Sequence, residues 1–69
     1  MKQLVIIPTY NEIDNIKPLI QAIHKQQPDI HILVVDDGSP DGTGTLVKKM
    51  VVEDSRVHLI ENSGKGGLG

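Results

Sequence analysis

The sequence predicts an α/β fold in which three strands and two helices alternate around a parallel sheet. Three observations predict it. Short aliphatic runs recur at Leu4-Val5-Ile6-Ile7, Ile32-Leu33-Val34-Val35 and Val57-His58-Leu59-Ile60, each of the length of a core strand. The stretches between them carry apolar residues three and four positions apart, the period of a helix with one covered face. Each run also stops abruptly at a proline, an acid or a turn former, so the chain changes direction at every strand end.

Taken in order, Leu4 to Ile7 form the first strand, closed by Pro8, which has no amide to give a ladder. Thr9-Tyr10-Asn11-Glu12 is its exit loop. Ile13, Ile16, Leu19, Ile20 and Ile23 then make the stripe of a helix that ends near Gln26 or Gln27, ahead of Pro28. Pro18 has to sit in the first turn, because deeper in the helix it would cost roughly 3 kcal/mol. Asn15 is therefore the expected cap, with Asn11 to Asp14 as a preceding turn. The central strand runs from Ile30 or His31 to Val35, and a crossover of this length is right-handed, which makes the first two strands parallel neighbours. Asp41 is the expected cap of the second helix, whose covered face is Leu46, Val47, Met50 and Val51, with Lys48 and Lys49 outward. Gly42 and Gly44 weaken its first turn. Asp54-Ser55 ends it, and Val57 to Ile60 is the third strand, followed by Glu61-Asn62-Ser63 and the glycine-rich Gly64-Lys65-Gly66-Gly67-Leu68-Gly69.

At 69 residues the chain is about half a typical domain, too short to close a parallel sheet around a core of its own. The expectation is an amino-terminal piece of a longer protein that folds only marginally alone. Seven Lys and Arg against nine Asp and Glu leave a net charge of -2, without the basic field that nucleic-acid binding requires. The absence of cysteine excludes disulfides and thiolate metal sites and suits a reducing compartment. Met1-Lys2-Gln3 leads into only four apolar residues before Pro8, which is not a signal peptide, and nothing approaches transmembrane length. Tyr10 is the sole aromatic, so ring stacking by this chain falls to it.

The strongest chemical signal is Asp36-Asp37-Gly38 at the exit of the central strand, where ligands of open α/β sheets bind. Paired carboxylates repel, so at least one must meet a cation, hydroxyls or amide donors. A ribose diol, a base N–H or a metal would each serve, and so would a purely structural part in capping the following turn. Pro8-Thr9-Tyr10-Asn11-Glu12 brings an aromatic ring, a hydroxyl, an amide and a carboxylate into one loop at the same rim. Tyr10 can pack on a nucleoside and Glu12 can accept from a base or sugar, while the alternative is a surface turn with Tyr10 covering the helix. Gly64-Lys65-Gly66-Gly67 can bring amides and an ammonium to phosphates, but it is no P-loop, because Gly66 stands where Ser or Thr is needed. Asp37-x-Ser39-x-Asp41-Gly42 starts like a calcium loop and fails at its twelfth position, which is Lys48. His24, His31 and His58 share no ligand spacing and are expected to pack or face solvent.

Together, Pro8-Thr9-Tyr10-Asn11-Glu12, Val34-Val35-Asp36-Asp37-Gly38-Ser39-Pro40-Asp41-Gly42-Thr43 and Gly64-Lys65-x-Gly67-Leu68-Gly69 resemble the amino-terminal motifs of family two glycosyltransferases. Within that family the dolichol-phosphate (polyprenol-phosphate) mannosyltransferases look most similar. The resemblance runs from Leu4 to the last residue and covers about the first third of such an enzyme. It implies a GT-A fold, of which residues 1–69 would be part of the Rossmann-like, nucleotide-binding half. It implies transfer of a hexose, mannose first, from a nucleotide sugar (GDP-mannose or UDP-glucose) to a polyprenyl phosphate, with inversion at the anomeric carbon. By the same resemblance Pro8, Tyr10 and Glu12 line the nucleoside pocket, Val35 and Asp37 contact base and ribose, Asp36 supports them, and Lys65 approaches the diphosphate. Mg²⁺ or Mn²⁺ is implied as cofactor, with ligands downstream of residue 69, so no metal-binding or catalytic residue is assigned within the chain. The cytoplasmic face of a membrane is the implied location, with peripheral association through the rest of the protein. Two departures stand out: Gly44-Thr45, where relatives carry better helix formers, and Gly66, where the mannosyltransferases often carry Leu. The acidic end of the central strand also resembles response-regulator receiver domains, where such acids hold Mg²⁺ for phosphorylation of another Asp. In those it ends the first strand, whereas here a strand and a helix precede it.

Overall fold

A computed structural model describes residues 3–62. The elements follow the predicted order: β1 (Leu4–Thr9), α1 (Ile16–Gln26), β2 (His31–Asp36), α2 (Thr43–Glu53) and β3 (Val57–Glu61). The three strands are parallel and lie in the order β1-β2-β3. Leu4 pairs with His31 and Thr9 with Asp36, while Ile32 pairs with Val57 and Asp36 with Glu61, so the three carboxyl ends finish on one line.

Strand alternation sorts the side chains into two faces. Val5 and Ile7 of β1, Ile32 and Val34 of β2, and Val57 and Leu59 of β3 turn to the helices. There they meet Ile16, Ile20 and Ile23 of α1 and Leu46, Val47, Met50 and Val51 of α2. Both helices therefore cover the same face, as two successive crossovers of one hand require when the strand order runs straight across the sheet. The opposite face carries no helix among the described residues, and Leu4, Ile6 and Ile60 are roughly half exposed on it. No helix in the described residues is long and apolar enough to cross a membrane.

Helix α1 starts where Pro18 demands, with Pro18 at its third position and Asn15 at the cap. Asn15 makes no side-chain cap bond. Instead its side-chain Nδ2 donates to Glu12 Oε1 at 3.2 Å, and the Glu12 carbonyl accepts from the Asn15 and Ile16 backbone amides. At α2 the expected cap is displaced by one residue. Gly42, at φ +94°, occupies the cap, a left-handed conformation that a side chain would strain. Asp41, one position earlier, still receives the Thr43 amide at 3.0 Å, so its carboxylate does the capping chemistry from outside the cap position. The second glycine has a packing reason. A Cβ at Gly44 would lie 2.5 Å from Glu61 Oε2 and 3.3 Å from Asp36 Oδ2, so glycine lets the start of α2 close onto the strand ends.

The turns at the opposite end of the sheet are held by charge. Arg56 donates to Asp54 through Nε at 2.9 Å and Nη2 at 2.7 Å, and to the Pro28 carbonyl. Its guanidinium holds the Asp54 carboxyl far below the usual carboxylate range, overcoming the upward push of burial. His24 Nε2 donates to the Ile30 carbonyl, 3.0 Å away, and so packs as expected. His31 and His58 are not isolated. The register sets His31 Nδ1 2.9 Å from His58 Nε2, with the rings nearly coplanar and joined edge to edge.

Candidate functional site

The carboxyl ends of β1 and β2 open into two loops, residues 10–15 and 37–42, which are laced together by three consecutive amides. Asn11 N donates to Ser39 Oγ at 2.8 Å, Glu12 N to Thr43 Oγ1 at 3.0 Å and Ile13 N to Asp41 Oδ2 at 3.1 Å. Alternate residues of Ser39-Pro40-Asp41-Gly42-Thr43 thus meet successive residues of the first loop. Asn11 reaches this position at φ +56°, which asparagine tolerates better than most residues. Donation from Thr43 Oγ1 to Asp41 Oδ1 completes the lacing. Burial pushes the Asp41 carboxyl up, but the Thr43 hydroxyl and the Ile13 and Thr43 amides hold it below the ordinary carboxylate value.

The two adjacent acids go separate ways. Asp36 is buried on the helix side, where Thr9 Oγ1 donates to Oδ1 at 2.7 Å, Ser39 N donates to Oδ2 at 3.0 Å, and Ser39 Oγ also donates to Oδ1. Burial raises its pKa, the Ser39 hydroxyl and amide and the Thr9 hydroxyl lower it, and the balance lies below the ordinary value. Three donors on a buried carboxylate make Asp36 a fastener between β1, β2 and the turn. Asp37 lies on the opposite, open side and is exposed; its amide donates to the Thr9 carbonyl at 3.0 Å. Among the described residues its carboxylate has no hydrogen-bond partner.

Pro8, Thr9, Tyr10, Val35, Asp37 and Asn62 line a hollow of about 500 Å³ on that open side. This is within the size range of small-molecule pockets. Pro8 and Val35 are register partners and form an apolar floor. Tyr10, 56% exposed, and Asp37 stand two residues beyond them, on the same face, and frame it. Of the predicted residues the structure brings Pro8, Tyr10, Val35 and Asp37 together. It sets Glu12 in a neighbouring hollow of about 220 Å³, with Ile7, Asn15, Ile16 and Leu19, which shares Pro8 and Thr9 with the first. Tyr10 and Glu12 therefore flank the β1 exit instead of facing into one cleft, because the left-handed turn at Asn11 separates them. Lys65 and the Gly64–Gly69 segment lie outside the described residues. Sequence reasoning missed Thr9, Ser39 and Thr43, whose hydroxyls build the scaffold, and Asn62, which enters the hollow from β3.

A hollow at the other end of the sheet, about 340 Å³ and lined by Gln3, Leu4, His31, Leu33 and His58, offers less chemistry. Its two imidazoles face each other, and its other walls are mostly apolar. No group of three or more His, Asp or Glu among the described residues could hold a metal ion. Asp36 and Asp37 diverge, and Asp36 is already engaged by three donors, so these two carboxylates do not form a shared cation site; the divalent cation that the motif resemblance implies has, by that same resemblance, its ligands downstream of residue 69.

The comparisons with known proteins agree with the α/β fold. The sequence pattern of Glycosyl transferase family 2 matches residues 4–69. Over 69 residues the chain is 51% identical to a polyprenol monophosphomannose synthase of Mycolicibacterium smegmatis, covering 99% of this chain and 26% of that protein. It is 44% identical over 69 residues to an undecaprenyl-phosphate mannosyltransferase of Micrococcus luteus, covering 100% of this chain and 28% of that protein. A glycosyltransferase GlyG of Streptococcus pneumoniae is 34% identical over 64 residues, 91% of this chain and 21% of the relative. The chain thus spans about a quarter of the length of the curated relatives it matches. No support remains for the phospho-receiver alternative. With a parallel β-α-β-α-β sheet, a hollow at its carboxyl rim and a family pattern matched from Leu4 to the last residue, the chain belongs to glycosyl transferase family 2.

Proposed function

We propose that this chain supplies the nucleoside-binding part of an enzyme that transfers a hexose from a nucleotide sugar to a polyprenyl phosphate. The observation that carries this reading is the hollow over Pro8 and Val35, framed by the exposed Tyr10 ring and by the Asp37 carboxylate, which meets no hydrogen-bond partner among the described residues. An apolar floor and an aromatic wall suit a planar base, and a carboxylate accepts from a base N–H or a ribose hydroxyl. The two relatives named for polyprenol and undecaprenyl phosphate support a lipid phosphate as acceptor and mannose as the sugar. GDP-mannose is the donor this favours, with UDP-glucose as the alternative.

The chemistry makes modest demands on a base. A lipid phosphate is already anionic, so it attacks the anomeric carbon without first losing a proton, and the stereochemistry inverts. The demand falls on charge building up on the leaving nucleoside diphosphate. Residues outside those described, Lys65 among them, would stabilise it together with Mg²⁺ or Mn²⁺ bound elsewhere in the protein. What the described residues contribute is orientation: they hold the nucleoside so that the diphosphate and sugar project past the β2 rim. Work on a lipid phosphate implies action at a membrane surface, on its cytoplasmic side, where nucleotide sugars are available.

Isothermal titration calorimetry of the intact protein with GDP-mannose and UDP-glucose tests the reading. Asp37→Ala is expected to weaken nucleotide-sugar binding about 10- to 100-fold, the value of one or two hydrogen bonds to a charged group. Unchanged affinity in a folded Asp37→Ala protein would overturn it.

A further inference from the structure

We propose that Asn62 is a specificity-determining residue that reads the edge of the base, an inference that rests on the nucleoside reading of the hollow. The argument is one of register. Thr9, Asp36 and Glu61 are aligned across the three strands, and the next residue on each is Tyr10, Asp37 and Asn62. The ladder continues through that row: Asp37 N donates to the Thr9 carbonyl at 3.0 Å, and Asn62 N donates to the Asp36 carbonyl at 2.7 Å. Strand alternation then places Tyr10, Asp37 and Asn62 on the open face, above the row formed by Pro8, Val35 and Ile60. Neighbouring strands are about 4.8 Å apart, so the row spans roughly 10 Å, enough for a base to lie between side chains at its two ends.

The row is chemically graded. Tyr10 offers a ring face at one end, Asp37 offers acceptors in the middle, and Asn62 offers one acceptor and two N–H donors at the far end. A base resting on Tyr10 and passing Asp37 turns its remaining edge to Asn62. A carboxamide can pair there with a neighbouring donor and acceptor at once, as a carboxylate cannot. Asn62 is exposed, its carboxamide makes no hydrogen bond to any described residue, and its position is fixed by its main chain. The preceding residue, Glu61, belongs to the other face, where it meets Lys48 Nζ at 3.3 Å.

The test compares ligands with and without a base. Displacement calorimetry on the intact protein would use GDP, UDP and ribose 5-diphosphate with the wild type, Asn62→Ala and Asn62→Asp. Asn62→Ala is expected to weaken the preferred nucleoside diphosphate about tenfold while leaving ribose 5-diphosphate unchanged. Asn62→Asp, which removes the donors, is expected to change the ratio of GDP to UDP affinity. Equal losses on all three ligands, or no loss on any, would overturn the assignment of Asn62 while leaving the nucleoside reading standing. A wild-type protein that binds ribose 5-diphosphate as tightly as either nucleotide would overturn both.

Discussion

Replacing Thr9 with valine removes one of the three donors to the buried Asp36 carboxylate and keeps the shape of the side chain. Thr9 is 5% exposed and Asp36 2%, and their hydrogen bond is 2.7 Å long. A bond to a buried charged group contributes roughly 1.5–3 kcal/mol. Asp36 Oδ1 keeps the Ser39 hydroxyl and Oδ2 keeps the Ser39 amide, so the carboxylate is not stripped bare and the lower end, about 1.5–2 kcal/mol, is expected. The sign of the pH dependence follows from Asp36 lying below its ordinary pKa. A depressed carboxyl stabilises the fold above the unfolded-state pKa of about 3.9, and that contribution disappears as pH falls through the folded-state value. Thr9→Val moves the folded value upward, so the gap between variant and wild type is full near neutrality and narrows in acid. Urea unfolding of the intact protein at neutral and acid pH measures the gap, and carbon NMR of the Asp36 carboxyl measures its titration directly. A variant as stable as wild type at neutral pH, or a carboxyl whose titration does not move, would refute the reasoning.

Gly42→Ala places a Cβ at φ +94° and against Ile13 Cδ1 at 3.4 Å, so a loss of about 1–2 kcal/mol is expected in thermal unfolding, and no loss would mean that the α2 cap is not left-handed. Asp54→Asn removes the charge that pairs with Arg56 and should cost about 1–2 kcal/mol near neutrality. Because the Asp54 carboxyl is also held low, its stabilisation is present above about pH 4 and is lost on acidification, so the variant should show a flatter acid limb in stability against pH. An acid limb as steep as that of wild type would contradict it.

The order of elements was legible because their periods differ: continuous Ile32 to Val35 reads as a strand, and Ile16, Ile20 and Ile23 read as a helix stripe. The start of α1 was legible because Pro18 permits few alternatives. The site was legible only in part. Asp36 and Asp37 look alike in sequence, and only the two-residue alternation of β2 sends one to three donors under the helices and the other to the open face. Glu12 stands two residues after Tyr10, yet a left-handed Asn11 puts it in another hollow; asparagine favours that conformation, but its mere presence in a loop does not say that the turn is made there. Ser39, Asp41 and Thr43 read as turn formers, since their partners, the amides of Asn11 to Ile13, lie about thirty residues away in the chain. His31 and His58 meet for the same reason: register, which a single sequence does not print.

The central claim is that the rim of β1 and β2 receives the nucleoside of a sugar donor. A crystal structure of the intact protein with a bound nucleoside diphosphate measures it most directly. The expected result is a base seated over Pro8 and Val35, against the Tyr10 ring and within hydrogen-bond reach of Asp37. A nucleotide bound elsewhere, with the Asp37 carboxylate still facing open solvent, would contradict it.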